Sequence, residues 1–176
     1  MNETLCYRRT VCLLCGLMAV VPLSARSVTD AFFVSVKLTV VVEPCVINNN
    51  QPIKVEFGDV MTSQVGSADQ VGSAEYLRRV DYQLDCPQGA STAMKMQIVG
   101  SGAFFDSDVL QTKPNEISEV LAIELRQGNT KLPINKWLNF TYPNKPDLWA
   151  VPVKKRGATL KGGEFTATAT MKVDYQ

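Results

Sequence analysis

Gly163-Glu-Phe-Thr-Ala-Thr-Ala-Thr-Met-Lys-Val-Asp-Tyr-Gln176 alternates without a break. Phe165, Ala167, Ala169, Met171, Val173 and Tyr175 fall on one side, while Glu164, Thr166, Thr168, Thr170, Lys172 and Asp174 fall on the other. Side chains that alternate with period two belong to a β-strand with one buried face. The pattern runs to Tyr175, one residue from the end of the sequence. An apolar strand with an uncovered edge is an aggregation hazard, so this one is expected to pair with another strand. What it pairs with is the question of function.

A comparable pattern lies near the other end. Phe32, Val34, Val36, Leu38, Val40 and Val42 alternate with Phe33, Ser35, Lys37, Thr39 and Val41, directly before Pro44-Cys45. Branched and aromatic residues in this density favour a strand. On pattern alone it could be an ordinary first strand of a sandwich, completing its own sheet.

Residues 1–25 read as a secretory signal peptide. Arg8 and Arg9 give a basic start, Val11 to Val21 an apolar core, and Pro22-Leu23-Ser24-Ala25 a break and a small residue before the cut. The apolar run falls short of the roughly 20 residues that span a bilayer. From totals of 18 basic and 17 acidic residues, the leader removes Arg8, Arg9 and Glu3, which leaves the mature chain formally neutral. It has no basic run of the kind that nucleic acid or an anionic membrane needs. About 150 mature residues fit one domain with a real core.

Cys6, Cys12 and Cys15 also leave with the leader, so Cys45 and Cys86 remain as a single pair in an oxidising compartment. A disulfide between them is the expectation. Cys86 shares parity with Val80, Tyr82 and Leu84, which points it inward with them. Two cysteines without histidine cannot supply the usual zinc ligands.

Between these landmarks, short alternating runs are punctuated by turn residues. They are Ile53-Val55-Phe57 before Gly58, Met94-Met96-Ile98 before Gly100, and Leu121-Ile123-Leu125 before Gln127-Gly128-Asn129. Trp149, Val151 and Val153 form another inward set, and Pro152 within it suggests an edge position. Residues 61–74 read as a loop. No helical periodicity competes, and the spacing predicts an all-β sandwich of the immunoglobulin type.

The chemistry of catalysis is missing. The chain has no histidine, which excludes a Ser-His-Asp triad and a histidine base. A bridged cysteine pair leaves no thiol nucleophile. Gly100-Ser101-Gly102 reads as a turn rather than a phosphate cradle. Asp106 and Asp108 read as solvated surface charges. No enzyme, cofactor or metal site is expected. Trp137 and Trp149 are expected to pack inside the sandwich, although either could form an aromatic binding platform.

Together these features resemble the pilin subunits of chaperone–usher fimbriae, the type 1 and P-pilus group, from about Phe32 to Gln176. That family carries a penultimate tyrosine, here Tyr175, and a glycine fourteenth from the end, here Gly163, joined by an alternating strand. Its alternating N-terminal extension leads into a Pro-Cys or Ala-Cys pair, here Pro44-Cys45, and its disulfide reaches the end of a later strand, here Cys86. One departure is Leu38, which stands where many such extensions place glycine and would need a roomier acceptor pocket.

The resemblance implies an incomplete immunoglobulin-like sandwich, the pilin fold, which lacks its final strand and is completed by donor-strand complementation. It divides the chain into a signal peptide (1–25), a donor-strand extension (26–43) and a pilin domain (44–176). Phe32, Val34, Val36, Leu38 and Val40 would be the donor side chains. Gly163, Met171, Val173, Tyr175 and the carboxylate of Gln176 would form the acceptor groove and the chaperone-recognition element. The implied partners are a periplasmic pilus chaperone, an outer-membrane usher and neighbouring pilin subunits, with no nucleic acid and no small-molecule substrate. The implied route runs through the periplasm to the cell-surface fimbrium. The implied function is a structural or adaptor subunit. The alternatives are a minor tip subunit with its own receptor-binding surface, or a self-sufficient secreted sandwich.

Overall fold

The computed structural model of the chain describes residues 34–67, 74–114 and 119–176. The expected leader and Phe32 lie outside the described residues. The chain divides after Thr39 into two units. In the first, Val34, Val36 and Leu38 belong to no strand and are 81–85% exposed.

The second unit, Val40–Gln176, is built from strands. In chain order they are β1 (Val46–Ile47), β2 (Gly66–Ser67), β3 (Arg78–Arg79), β4 (Leu84–Asp85), β5 (Ala93–Val99) and β6 (Gly102–Ala103). They continue with β7 (Asp106–Gln111), β8 (Leu121–Gln127), β9 (Thr130–Leu132), β10 (Leu138–Thr141), β11 (Leu148–Lys154) and β12 (Thr170–Tyr175). Among the described residues there is no α-helix, only single 3₁₀ turns at Asn48–Asn50 and Ala74–Tyr76.

One sheet runs β10-β5-β12, and the other runs β2-β11-β8-β7-β6 with β3 on β11 and β9 on β8. Their inner faces share one core. Met96 and Ile98 of β5 meet Leu110 of β7, Ile123 and Leu125 of β8, Leu132 of β9, and Leu148 and Ala150 of β11. Two apolar faces that bury each other in this way define a β-sandwich.

Two sequence expectations need correction here. Pro152 is fully buried in β11, which is an interior strand and not an edge. β11 pairs with β8 along its whole length, whereas on its other side β3 covers Trp149–Ala150 and β2 covers Val153–Lys154. Pro152 falls in the gap between those two short ladders, where a missing N–H leaves no partner unsatisfied. The parity of β11 also differs from expectation. Leu148 and Ala150 enter the main core, while Val151 and Val153 join Ala103, Val109 and Ala122 in a second cluster on the other face.

That second face explains the aspartates and one tryptophan. Register places Arg79, Trp149, Arg126 and Lys131 in a single row across β3, β11, β8 and β9. Each cation has its own carboxylate: Arg79 with Asp147 at 2.8 Å, Arg126 with Glu124 at 2.8 Å, and Lys131 with Asp106 at 2.5 Å. Asp108 lies 3.3 Å from Lys136. Burial pushes the Glu124 carboxyl up, against the pull of Arg126. Burial would raise Asp106 too, but the Lys131 hydrogen bond and the Asp108 backbone N–H hold it below its ordinary value. The two aspartates are therefore parts of ion pairs rather than freely solvated charges. Trp137 departs from expectation as well, since it is 47% exposed with the Lys95 ammonium 5.3 Å from its ring centroid.

Cys45 and Cys86 are bonded, with Cα atoms 4.2 Å apart across a separation of 41 residues. The bridge closes the β1–β4 ladder, in which Val46 faces Asp85 and Ile47 faces Leu84. Because a cross-link restricts the unfolded chain, replacing both cysteines by alanine is expected to lower stability by about 4 kcal/mol. Urea unfolding of the two proteins side by side measures this. An unchanged midpoint would show that the bridge contributes nothing to the fold.

Candidate functional site: the open edge at β12

β12 forms a regular antiparallel ladder with β5, from Thr170 opposite Val99 to Tyr175 opposite Met94. Among the described residues it is the end strand of its sheet, with no ladder partner on its second edge. Met171, Val173 and Tyr175 are half-buried on the inner face, whereas Thr170, Lys172 and Asp174 are exposed. Val173 and Met171 rest on the main core beside Phe165 and Ala167. Upstream, Thr166 makes an isolated bridge to Lys113. The alternation from Gly163 therefore becomes a continuous strand ladder only from Thr170 onward.

Residues 51–58 supply a second incomplete wall. Ile53, Val55 and Phe57 are half-buried against the same core, and Lys54 and Glu56 between them are exposed. This is the alternation of a strand, yet among the described residues the segment pairs with no other strand. The rings of Phe57 and Phe165 meet at 6.3 Å between centroids, which brings the two walls together at that end. Close by, Gly163 helps line a cavity of about 50 Å³ with Val60, Val65, Leu121, Leu160 and Phe165.

Two extended segments thus lay alternate apolar side chains on one core, while among the described residues neither has a strand paired along its open side. Buried strand edges normally satisfy their N–H and C=O groups in a ladder. An exposed edge above a half-buried apolar row is the geometry that accepts an added strand. The far end of β12 is tied down separately. Gln176 donates its backbone N–H to the Ala93 carbonyl at 3.0 Å and its side-chain amide to the Met94 carbonyl at 2.6 Å. The Tyr175 hydroxyl donates to the Glu43 carbonyl at 3.0 Å.

Among the described residues, no group of three or more histidine, cysteine, aspartate or glutamate side chains could hold a metal ion. Sequence reading identified the β12 residues but singled out Ile53, Val55 and Phe57 only as another strand. Their alternation was visible, but their lack of a partner was not.

An all-β immunoglobulin-like sandwich that lacks one strand is a pilin fold, and known proteins agree. The sequence profile of the family described as "Fimbrial protein" matches residues 34–176, and the chain belongs to that family. It is 35% identical over 136 residues to the uncharacterized fimbrial-like protein YfcR of Escherichia coli, covering 76% of this chain and 74% of the relative. Among solved structures, the P pilus rod subunit PapA superimposes with a TM-score of 0.58 at 22% identity, covering 82% of this chain and 99% of that one. The P pilus adaptor subunit PapF gives a TM-score of 0.52 at 24% identity, covering 78% and 100%. The chain is a fimbrial subunit of a structural, non-enzymatic family.

Proposed function

We propose that this chain is a structural or adaptor subunit of a chaperone–usher fimbria, and that it polymerises by donor-strand exchange. The observation that carries the reading is the unpaired edge of β12 above Met171, Val173 and Tyr175, in a chain whose own Val34, Val36, Leu38 and Val40 stand 81–85% exposed. The domain lacks a strand, and the extension has the periodicity of one.

In this reading Phe32, Val34, Val36, Leu38 and Val40 of one subunit fill the groove of the next. The backbone completes the ladder, and Gly163 lies at the end of the groove where β12 is approached. Burying five apolar side chains at about 1.5–3 kcal/mol each supplies on the order of 10 kcal/mol before ordering costs. Assembly then needs no nucleotide and no catalytic residue. A head-to-tail contact that does not close on itself gives a filament. Before assembly, a periplasmic chaperone would cover the same edge, an outer-membrane usher would receive the complex, and the product would be a cell-surface fimbrium.

The test is to move the donor within one chain. Residues 29–42 are deleted from the front and attached after Gln176 through a short flexible linker, so that they can fold back along β12. This variant is expected to be a monomer, more resistant to urea than the unfused domain by several kcal/mol. If the fused segment adds no stability and leaves the β12 amides unprotected in hydrogen exchange, donor-strand exchange is the wrong mechanism.

A further inference from the structure

The strand that offers the groove also touches the root of the chain's own extension. Tyr175 stands at the end of β12 opposite Met94, and the Gln176 hydrogen bonds to Ala93 and Met94 fix that end of the strand. From there the Tyr175 hydroxyl reaches the Glu43 carbonyl at 3.0 Å and lies 3.6 Å from Cys45 Sγ. A disulfide sulfur has no hydrogen, so the second approach is a contact and the donated bond goes to Glu43.

This bond falls where the chain is already restrained. Pro44 biases Glu43 toward extended backbone, which sets the direction of its carbonyl. Cys45 is bonded to Cys86, and Val46 enters β1 directly afterwards. On the other side, Val40, Val41 and Val42 are 82%, 81% and 59% exposed, so burial begins at the root. The β1–β4 ladder and the β10-β5-β12 sheet share no strand, and the Tyr175 hydroxyl reaches from the second to Glu43, three residues before β1.

We propose that Tyr175 is a positioning residue for the donor extension of its own subunit. Its place on β12 makes it respond to what fills the groove, and its hydroxyl fixes the point from which the extension leaves the domain. Occupation of the acceptor side and presentation of the donor side are thereby coupled within one subunit. The coupling rests on the donor-strand reading above, whereas the latch itself does not.

Tyr175→Phe separates the two, because it keeps the ring and removes the donor. Hydrogen exchange is followed in the full exported chain, with a synthetic peptide of residues 29–42 as the groove probe. Without peptide, protection over residues 43–47 is expected to fall about fivefold in Tyr175→Phe, the population shift carried by one ordinary hydrogen bond. The β5–β12 ladder should be unchanged. With peptide at a concentration that saturates the β12 protection of each protein, protection of residues 43–47 should rise in the natural chain and not in the variant. Equal protection of the root in the two unliganded proteins overturns the latch. An equal rise in both overturns the coupling, since linkage requires a differential contact. A peptide that protects β12 in neither protein overturns the donor-strand reading and the coupling with it, and the unliganded comparison still decides the latch.

Discussion

A chain that lacks residues 27–40 is expected to accept a neighbour's strand as well as the intact chain does, and to donate none. The deleted segment carries Val34, Val36, Leu38 and Val40, which are 81–85% exposed and make up none of the main core. Among the described residues its loss removes no ladder, because residues 34–40 belong to no strand and the first strand of the second unit is β1 at Val46–Ile47. The acceptor side stays intact, since β12, β5 and Ile53-Val55-Phe57 all lie beyond the deletion. The effect is therefore one-sided. In a host that expresses the matching chaperone and usher, the shortened subunit should still be recovered with its chaperone. It should then end every assembly in which another subunit requires its strand, so donor-side incorporation falls from normal to none. Electrophoresis of unheated fimbriae reads this directly as loss of the oligomer ladder. A shortened subunit incorporated in front of another at the normal level would show that residues 27–40 are not the donor.

The parts of this molecule that the sequence revealed are those where side-chain direction is the whole story. Met171, Val173 and Tyr175 alternate with charged and hydroxyl residues, and the structure leaves them half-buried on one face of β12. Alternation does not report which neighbour pairs with a strand, so Ile53-Val55-Phe57 read like any other strand although no ladder holds it. Burial on both faces was hidden for a related reason. In β8, Leu121, Ile123 and Leu125 announce one face, but Ala122 and Glu124 are buried on the other. A glutamate in an alternating run reads as solvent-facing unless its partner Arg126, two residues along the same face, is also considered. Pro152 misled because its edge preference follows from the missing N–H alone. Register shows that a central strand can hold proline where its flanking ladders leave a gap.

The C-terminus should prove the most sensitive point of the molecule, and two changes there are expected to abolish chaperone capture by different routes. Tyr175→Ala removes a half-buried ring from the end of the groove strand, and with it the bond to Glu43. A tyrosine ring can pack on apolar surface while its hydroxyl remains within reach of water and carbonyl groups, and alanine offers neither. Extending the chain past Gln176 leaves the ring in place and moves the terminal carboxylate. Gln176 is exposed, with its backbone N–H bonded to Ala93, so a carboxylate on this residue would be held at a defined place at the end of the strand. A carboxylate fixed in that way suits a charge-assisted contact with basic residues of a chaperone cleft. Each variant should fail to co-purify with the cognate periplasmic chaperone and should pass to proteolysis or aggregates, because the apolar row beside β12 is then uncovered. The two changes distinguish ring packing from carboxylate capture. If only the extended chain fails, the carboxylate carries recognition and the ring serves the groove alone. If both variants accumulate as soluble monomers without a chaperone, the open edge needs no cover, and the donor-strand reading fails for this chain.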